Sequence, residues 1–123
     1  MEADDIMFQH DRQFFNVRAS GMLMKDEKIL FHCDNNEPTP YFALIGGKVK
    51  FGESSQDAIK REYDEEVGIE VKPERLLWVM EHQLLDSETQ STLQQVVFVY
   101  LLSSDEVNKL PDQRFTVGRH TFE

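Results

Sequence analysis

Apolar residues in this chain come in short runs separated by charged or proline-containing turns, a spacing that suits strands better than long helices. Residues 14–24 carry Phe14-Phe15-Asn16-Val17 and Met22-Leu23-Met24. Lys25-Asp26-Glu27-Lys28 then turns and Ile29-Leu30-Phe31-His32 returns, which predicts a β-hairpin. Residues 33–40 are a polar loop with two prolines, followed by a short strand over 41–45 expected to end at Gly46-Gly47. Strands are predicted again over 75–83 and 93–102, joined by the polar stretch 86–92; the second is apolar on both faces, as a central strand must be. One helical turn is expected before Pro111 and a last short strand over 115–122. Residues 1–12 show no sustained period and read as a loosely held arm or a short first strand.

One segment breaks this pattern. Residues 54–67 have helical periodicity, Ser54 or Ser55 as N-cap, Asp57 in the first turn and Gly68 placed as terminator. A mixed sheet with one prominent helix predicts an α+β (α/β) layered fold.

At 123 residues the chain is long enough for one core, so 1–123 is read as a single domain. Thirteen basic against 23 acidic residues give a net charge of −10, which disfavours a nucleic acid polymer as partner. No apolar run approaches the roughly 20 residues that cross a bilayer, so no membrane partner is expected. The start Met1-Glu2-Ala3-Asp4-Asp5 is acidic where a secretory signal is basic, and Cys33 is the single cysteine, so a cytoplasmic setting is expected.

The helix carries the candidate chemistry. At about 100° per residue, with Glu62 at zero, Glu65 falls at about −60° and Glu66 at about +40°. Ile59, Tyr63 and Val67 lie at about 60° to 140°, whereas Lys60, Asp64 and Asp57 point to the opposite, solvent side. Three carboxylates thus share an arc bordering the buried stripe, and their like-charge spacings cost about 0.2–0.5 kcal/mol per pair in an isolated helix. A divalent cation, which prefers carboxylate oxygens, would offset that repulsion; a solvated acidic face is the plain alternative.

Reading on from Gly47 there are five residues, Glu53, seven residues, and Arg61-Glu62-Tyr63-Asp64-Glu65-Glu66-Val67-Gly68-Ile69. This resembles the box of the Nudix (MutT-like) hydrolase family, with every fixed letter present; Tyr63 fills a slot more often aliphatic, and Ile45 stands where many members have proline. The resemblance implies the Nudix fold and a hydrolase that splits the pyrophosphate of a nucleoside diphosphate linked to another group, using Mg²⁺ or Mn²⁺ and water. By match to the motif, Glu62, Glu65 and Glu66 are expected metal ligands, with the Gly46 carbonyl as an additional one. Glu53 is expected to orient water, and Arg61 to hold Glu62 by a charge-assisted hydrogen bond. Glu62 and Glu81 compete for general base. Glu81 interrupts the apolar strand, so it faces either solvent or the site.

Arg18 is a candidate for a substrate phosphate or an ordinary ion pair. His32, His82 and His120 lack metal-ligand spacing, and Cys33 lacks a partner signature. Phe14, Phe15, Phe42, Trp78, Phe98 and Tyr100 are expected in the core, with one or two available to stack on a base. A non-catalytic nucleotide-binding or sensor module on the same fold is the competing function; such members usually lose box carboxylates, which this chain keeps. The proline or tyrosine that certain ADP-ribose and dinucleoside polyphosphate members carry beyond the box is absent, since 84–87 reads Leu-Leu-Asp-Ser. Nudix domains generally continue past a strand like 115–122 into a second helix. Its absence before Glu123 suggests either a fragment or a homodimer whose partner subunit covers the sheet.

Overall fold

The computed structural model describes residues 3–34, 41–111, 115–117 and 120–122, with side chains described for 3–32 and 43–111. In chain order the strands are β1 (Met7–His10), β2 (Gln13–Lys25), β3 (Lys28–Ile29), β4 (Phe31–Asp34), β5 (Tyr41–Lys48), β6 (Lys72–Asp86), β7 (Ser91–Ser103), β8 (Phe115–Val117) and β9 (His120–Phe122). Helix α1 (Ser55–Glu66) separates β5 from β6, and a 3₁₀ turn (Val107–Lys109) follows β7.

These strands join in one sheet of order β6-β7-β2-β5-β4-β9-β8, with β1 and β3 also pairing with β2. β2 runs parallel to β7, Gln13 opposite Thr92 through Leu23 opposite Leu102, and antiparallel to β5. The apolar run on β7 therefore lies between two strands, as its two-sided hydrophobicity requires. The hairpin forms with Met24 opposite Ile29, but residues after Leu30 leave it to pair with β5 as β4. Residues 7–10 are a strand against β2, Met7 opposite Asn16, which settles the first segment in favour of a strand.

Three expected boundaries move. β5 does not stop at Gly46 but continues through both glycines to Lys48, because these positions pair with Ser20 and Ala19 of β2. The strand expected over 75–83 runs from Lys72 to Asp86, extended by its pairing with β7. The final segment is two short strands, β8 and β9, instead of one.

α1 begins and ends where its capping residues place it. The Ser54 side chain accepts from the Asp57 N–H at 3.1 Å, and Gly68 takes a φ of +81°, the left-handed conformation that ends a helix. The helix packs on β5, β2 and β6, burying Ala58, Ile59 and Tyr63 completely against Ala19, Leu23, Ile45, Tyr100 and Leu102. Burying Ile59 contributes about 1.5–3 kcal/mol. Tyr63 fits its aliphatic slot because its hydroxyl donates to the Gly21 carbonyl at 3.3 Å. Trp78, expected in the core, is 44% exposed, because β6 is an edge strand with no second neighbour among the described residues. Phe42 and Cys33 have side chains outside the described residues.

Candidate active site

Glu62 does not merely border the buried stripe. It projects between Ala58 and Ile59, both fully buried, and its own side chain is only 13% exposed. The sheet makes room by lacking a side chain there: a Cβ at Gly47 would overlap the Glu62 carboxylate. Gly46, opposite Ser20, is equally restricted, since a Cβ there would meet the backbone of Ala19. The glycine pair therefore works less as a turn than as a bare strip of strand on which a helix carboxylate rests.

Arg61 gathers the rest. Its Nε and Nη2 donate to Glu53 Oε2 at 2.7 Å and Oε1 at 3.0 Å, a bidentate pair, and Nη2 also donates to the Lys48 carbonyl at 3.0 Å. Its Nη1 donates to Glu62 Oε1 at 3.0 Å and Glu65 Oε2 at 3.2 Å. The Lys50 N–H completes Glu53 at 3.0 Å. One cation thus ties β5, the loop after it and two turns of α1, and offsets the like-charge repulsion along the helix. The guanidinium holds the Glu53 carboxyl below the usual range, and the carboxylates raise the pKa of Arg61 in return. The Lys48 carbonyl and Lys50 N–H are backbone groups and left no mark in the sequence.

Glu66 stands apart from this knot. Its Oε2 is buried and, among the described residues, has no hydrogen-bond partner. Burial, and then the neighbouring Glu62 charge, push its pKa up to about 7. Burial also raises Glu62, against the pull of Arg61. The Arg18 charge on β2 acts on both Glu62 and Glu66 and favours their ionised forms, which brings this residue into the electrostatic field of the site. Glu65, 53% exposed, meets the cluster through Arg61, and its charge raises Glu62 and Glu66.

Glu81 lies opposite Val96 on β6. Val79, two residues before it, lies opposite Phe98, which is opposite Ala19 and packs against the core beneath α1. Glu81 therefore shares the α1 face of the sheet, but it is exposed and has no hydrogen bond or ion pair to the cluster among the described residues. Three strand spacings separate β6 from β5, about 14 Å.

A divalent metal is a fair test of this arrangement. Among the described residues, no three His, Cys, Asp or Glu side chains already converge on one point. The donor set nevertheless suits a hard cation: carboxylate oxygens on one helix face, one of them buried without a partner.

The comparisons with known proteins bear on the same residues. The family model described as NUDIX domain matches residues 15–119. The chain belongs to the Nudix family. Over 64 residues this Nudix chain is 42% identical to the ADP-ribose pyrophosphatase of Methanocaldococcus jannaschii, covering 51% of the chain and 38% of that protein. It is similar to the crystal structure of a UDP-X diphosphatase, 26% identical with a TM-score of 0.58, over 88% of this chain and 49% of that one. It shares its fold with a MutT NUDIX hydrolase from Burkholderia pseudomallei, 24% identical with a TM-score of 0.58, over 87% and 78% of the two chains. The Nudix chain thus spans half or less of the first two proteins' lengths. Among the described residues, no helix is long and apolar enough to cross a membrane.

Proposed function

We propose that this Nudix domain is a divalent-metal-dependent pyrophosphohydrolase that cleaves the diphosphate link of a nucleoside diphosphate joined to a second group. The observation that carries the reading is the Glu66 carboxylate, half-buried beside Glu62 with one oxygen unpartnered. A protein that only needed α1 for packing would gain stability from an apolar residue there. An ADP-ribose pyrophosphatase and a UDP-X diphosphatase among its relatives support a substrate of this class.

Glu62, Glu65, Glu66 and the Gly46 carbonyl would hold the cation, Mg²⁺ or Mn²⁺. When bound it supplies charge neutralisation on the diphosphate and a more acidic attacking water. The chain's own residues do the rest. Arg61 fixes Glu62 through Oε1 and leaves Oε2 available, so Glu62 is the proton acceptor for the attacking water. Glu53, clamped at both oxygens, acts by keeping Arg61 in place, a positioning role. Arg18 offers a cation for a substrate phosphate on the strand next to β5. Attack at phosphorus breaks one phosphorus–oxygen bond of the anhydride, and water supplies the new oxygen.

The test is phosphate release from nucleoside triphosphates, nucleotide sugars, ADP-ribose and dinucleotides with Mg²⁺ or Mn²⁺, with a coupling phosphatase where needed. Turnover by the wild type that is lost in Glu66→Gln supports the reading. Absence of turnover on the whole panel overturns it in favour of a nucleotide-binding module.

A further inference from the structure

A second feature lies on the face of the sheet that carries α1. Phe8 of β1 is opposite Phe15 of β2, which is opposite Gln94 of β7, so the three share a face. Two residues along β2, Val17 packs against the core under α1, which places Phe15 on α1's side. Beyond the helix this face is open, and a cavity of about 380 Å³ is walled by Phe8 and Phe15 with Gln13 and Gln94 around it. Phe8 is 55% exposed, and neither amide makes a hydrogen bond within the protein among the described residues.

The cavity is joined to the carboxylate cluster by a ring contact and along β2. The ring of Phe8 meets that of Phe51 edge-on, centroids 5.8 Å apart at 82°. Phe51 follows Lys50, whose N–H holds Glu53, so the loop that carries Glu53 also braces the cavity wall. Along β2, Phe15 is four residues from Ala19, which pairs with Gly47 beneath Glu62. That distance is about 13 Å at ~3.3 Å per residue, a span that a ribose and a diphosphate can bridge.

We infer that this cavity holds the base of a nucleotide substrate, stacked on Phe8 and Phe15 and hydrogen-bonded at its edge by the Gln13 and Gln94 amides. The inference rests on the pyrophosphohydrolase reading and assigns the nucleoside end of its substrate. Aromatic faces bind any base by stacking, while an amide presents a donor and an acceptor side by side, matching the donor–acceptor edge of a base. Neither Phe8 nor Gln94 belongs to the buried core, so both can be replaced without touching the packing of α1.

The experiment is calorimetric titration of the metal-free protein with AMP, GMP, CMP and UMP, each compared with ribose 5-phosphate. At least one nucleoside monophosphate is expected to bind about tenfold or more tightly than the sugar phosphate. Phe8→Ala and Gln94→Ala are each expected to reduce that preference several-fold, and Phe8→Trp to retain it. No preference in the wild type, or a preference unchanged in both alanine variants, overturns the inference. Hydrolysis separates it from the reading beneath it. A wild type active on nucleoside diphosphate derivatives with KM unchanged in Phe8→Ala leaves the enzyme standing and removes the base site. A wild type inactive on every substrate removes the enzyme.

Discussion

Two carboxylates one helical turn apart, Glu62 and Glu66, share a face of α1 but not a fate. Glu62 is met by Arg61, which also holds Glu53 and Glu65, so that side of the helix is neutralised from within the fold. Glu66 faces the same interior with a buried oxygen that no described residue satisfies. Glu53 is held below the ordinary carboxylate range by the guanidinium, and Glu66 is pushed up to about 7 by burial. Residue type therefore decides little here. A carboxylate clamped at both oxygens by a fixed cation, as Glu53 is, becomes part of the scaffold, whereas Glu66, buried without an answer, is the one we propose meets a cation from outside.

The largest effect expected from breaking this contrast is on turnover. Glu66→Gln keeps the shape and removes the charge, and is expected to lower kcat at least about 100-fold, read by phosphate release at saturating metal. Removing the other half of the contrast acts on stability as well as on turnover. Arg61→Ala leaves Glu53 and Glu62 partly buried without their cation and is expected to cost about 2–3 kcal/mol in denaturant unfolding. Arg61→Lys is expected to recover little of it, because one ammonium cannot make the bidentate pair with Glu53 together with the bonds to Lys48, Glu62 and Glu65. Gly47→Ala drives a methyl into the space of the Glu62 carboxylate and is expected to cost about 1–3 kcal/mol together with activity, read by Tm and kcat on the same sample.

The contrast also has a pH signature. Because the folded-state pKa of Glu66 is raised from 4.5 to about 7, the folded metal-free protein holds a proton that the unfolded chain has lost across that window. Its contribution is therefore most favourable below pH 4.5 and is lost as pH rises through 7. For a half-buried group screened by solvent this amounts to about 1–2 kcal/mol. Metal-free Glu66→Gln is accordingly expected to be more stable than wild type at pH 8, with the gain vanishing by pH 4.5. Equal stability at both pH values would show that Glu66 is not desolvated.

The helix was legible from the sequence to within a residue at each end, because Ser54 and Gly68 act locally, through one capping bond and one left-handed backbone conformation. The family was legible from the spacing between Gly47 and Ile69 for the same reason: the residues lie on one loop and one helix. What escaped depends on partners distant in the chain. A helical wheel sorts Glu62 with polar positions, and only the bare backbone of Gly47 across the interface allows it to sit inside. Likewise, β5 continues through two glycines because β2 pairs with them. Trp78 is exposed because, among the described residues, its strand lies at the sheet's edge, a property of topology that no local pattern carries.

Glu81 belongs to that second group and gives the smallest expected effect. Its alternation along β6 could not be read because the strand slips register between Pro73 and Arg75 and again between Leu76 and Trp78, and each slip swaps the faces of the residues that follow. The pairing with Val96 now puts it on the α1 face but three strands from the glycines that seat Glu62. If Glu62 takes the water's proton, Glu81→Gln should leave kcat within about threefold of wild type, while Glu62→Gln lowers it by about 10²–10⁴. A large loss confined to kcat in Glu81→Gln would instead mean that β6 approaches the carboxylate cluster when substrate binds, and that the proton acceptor comes from the sheet edge rather than from the helix.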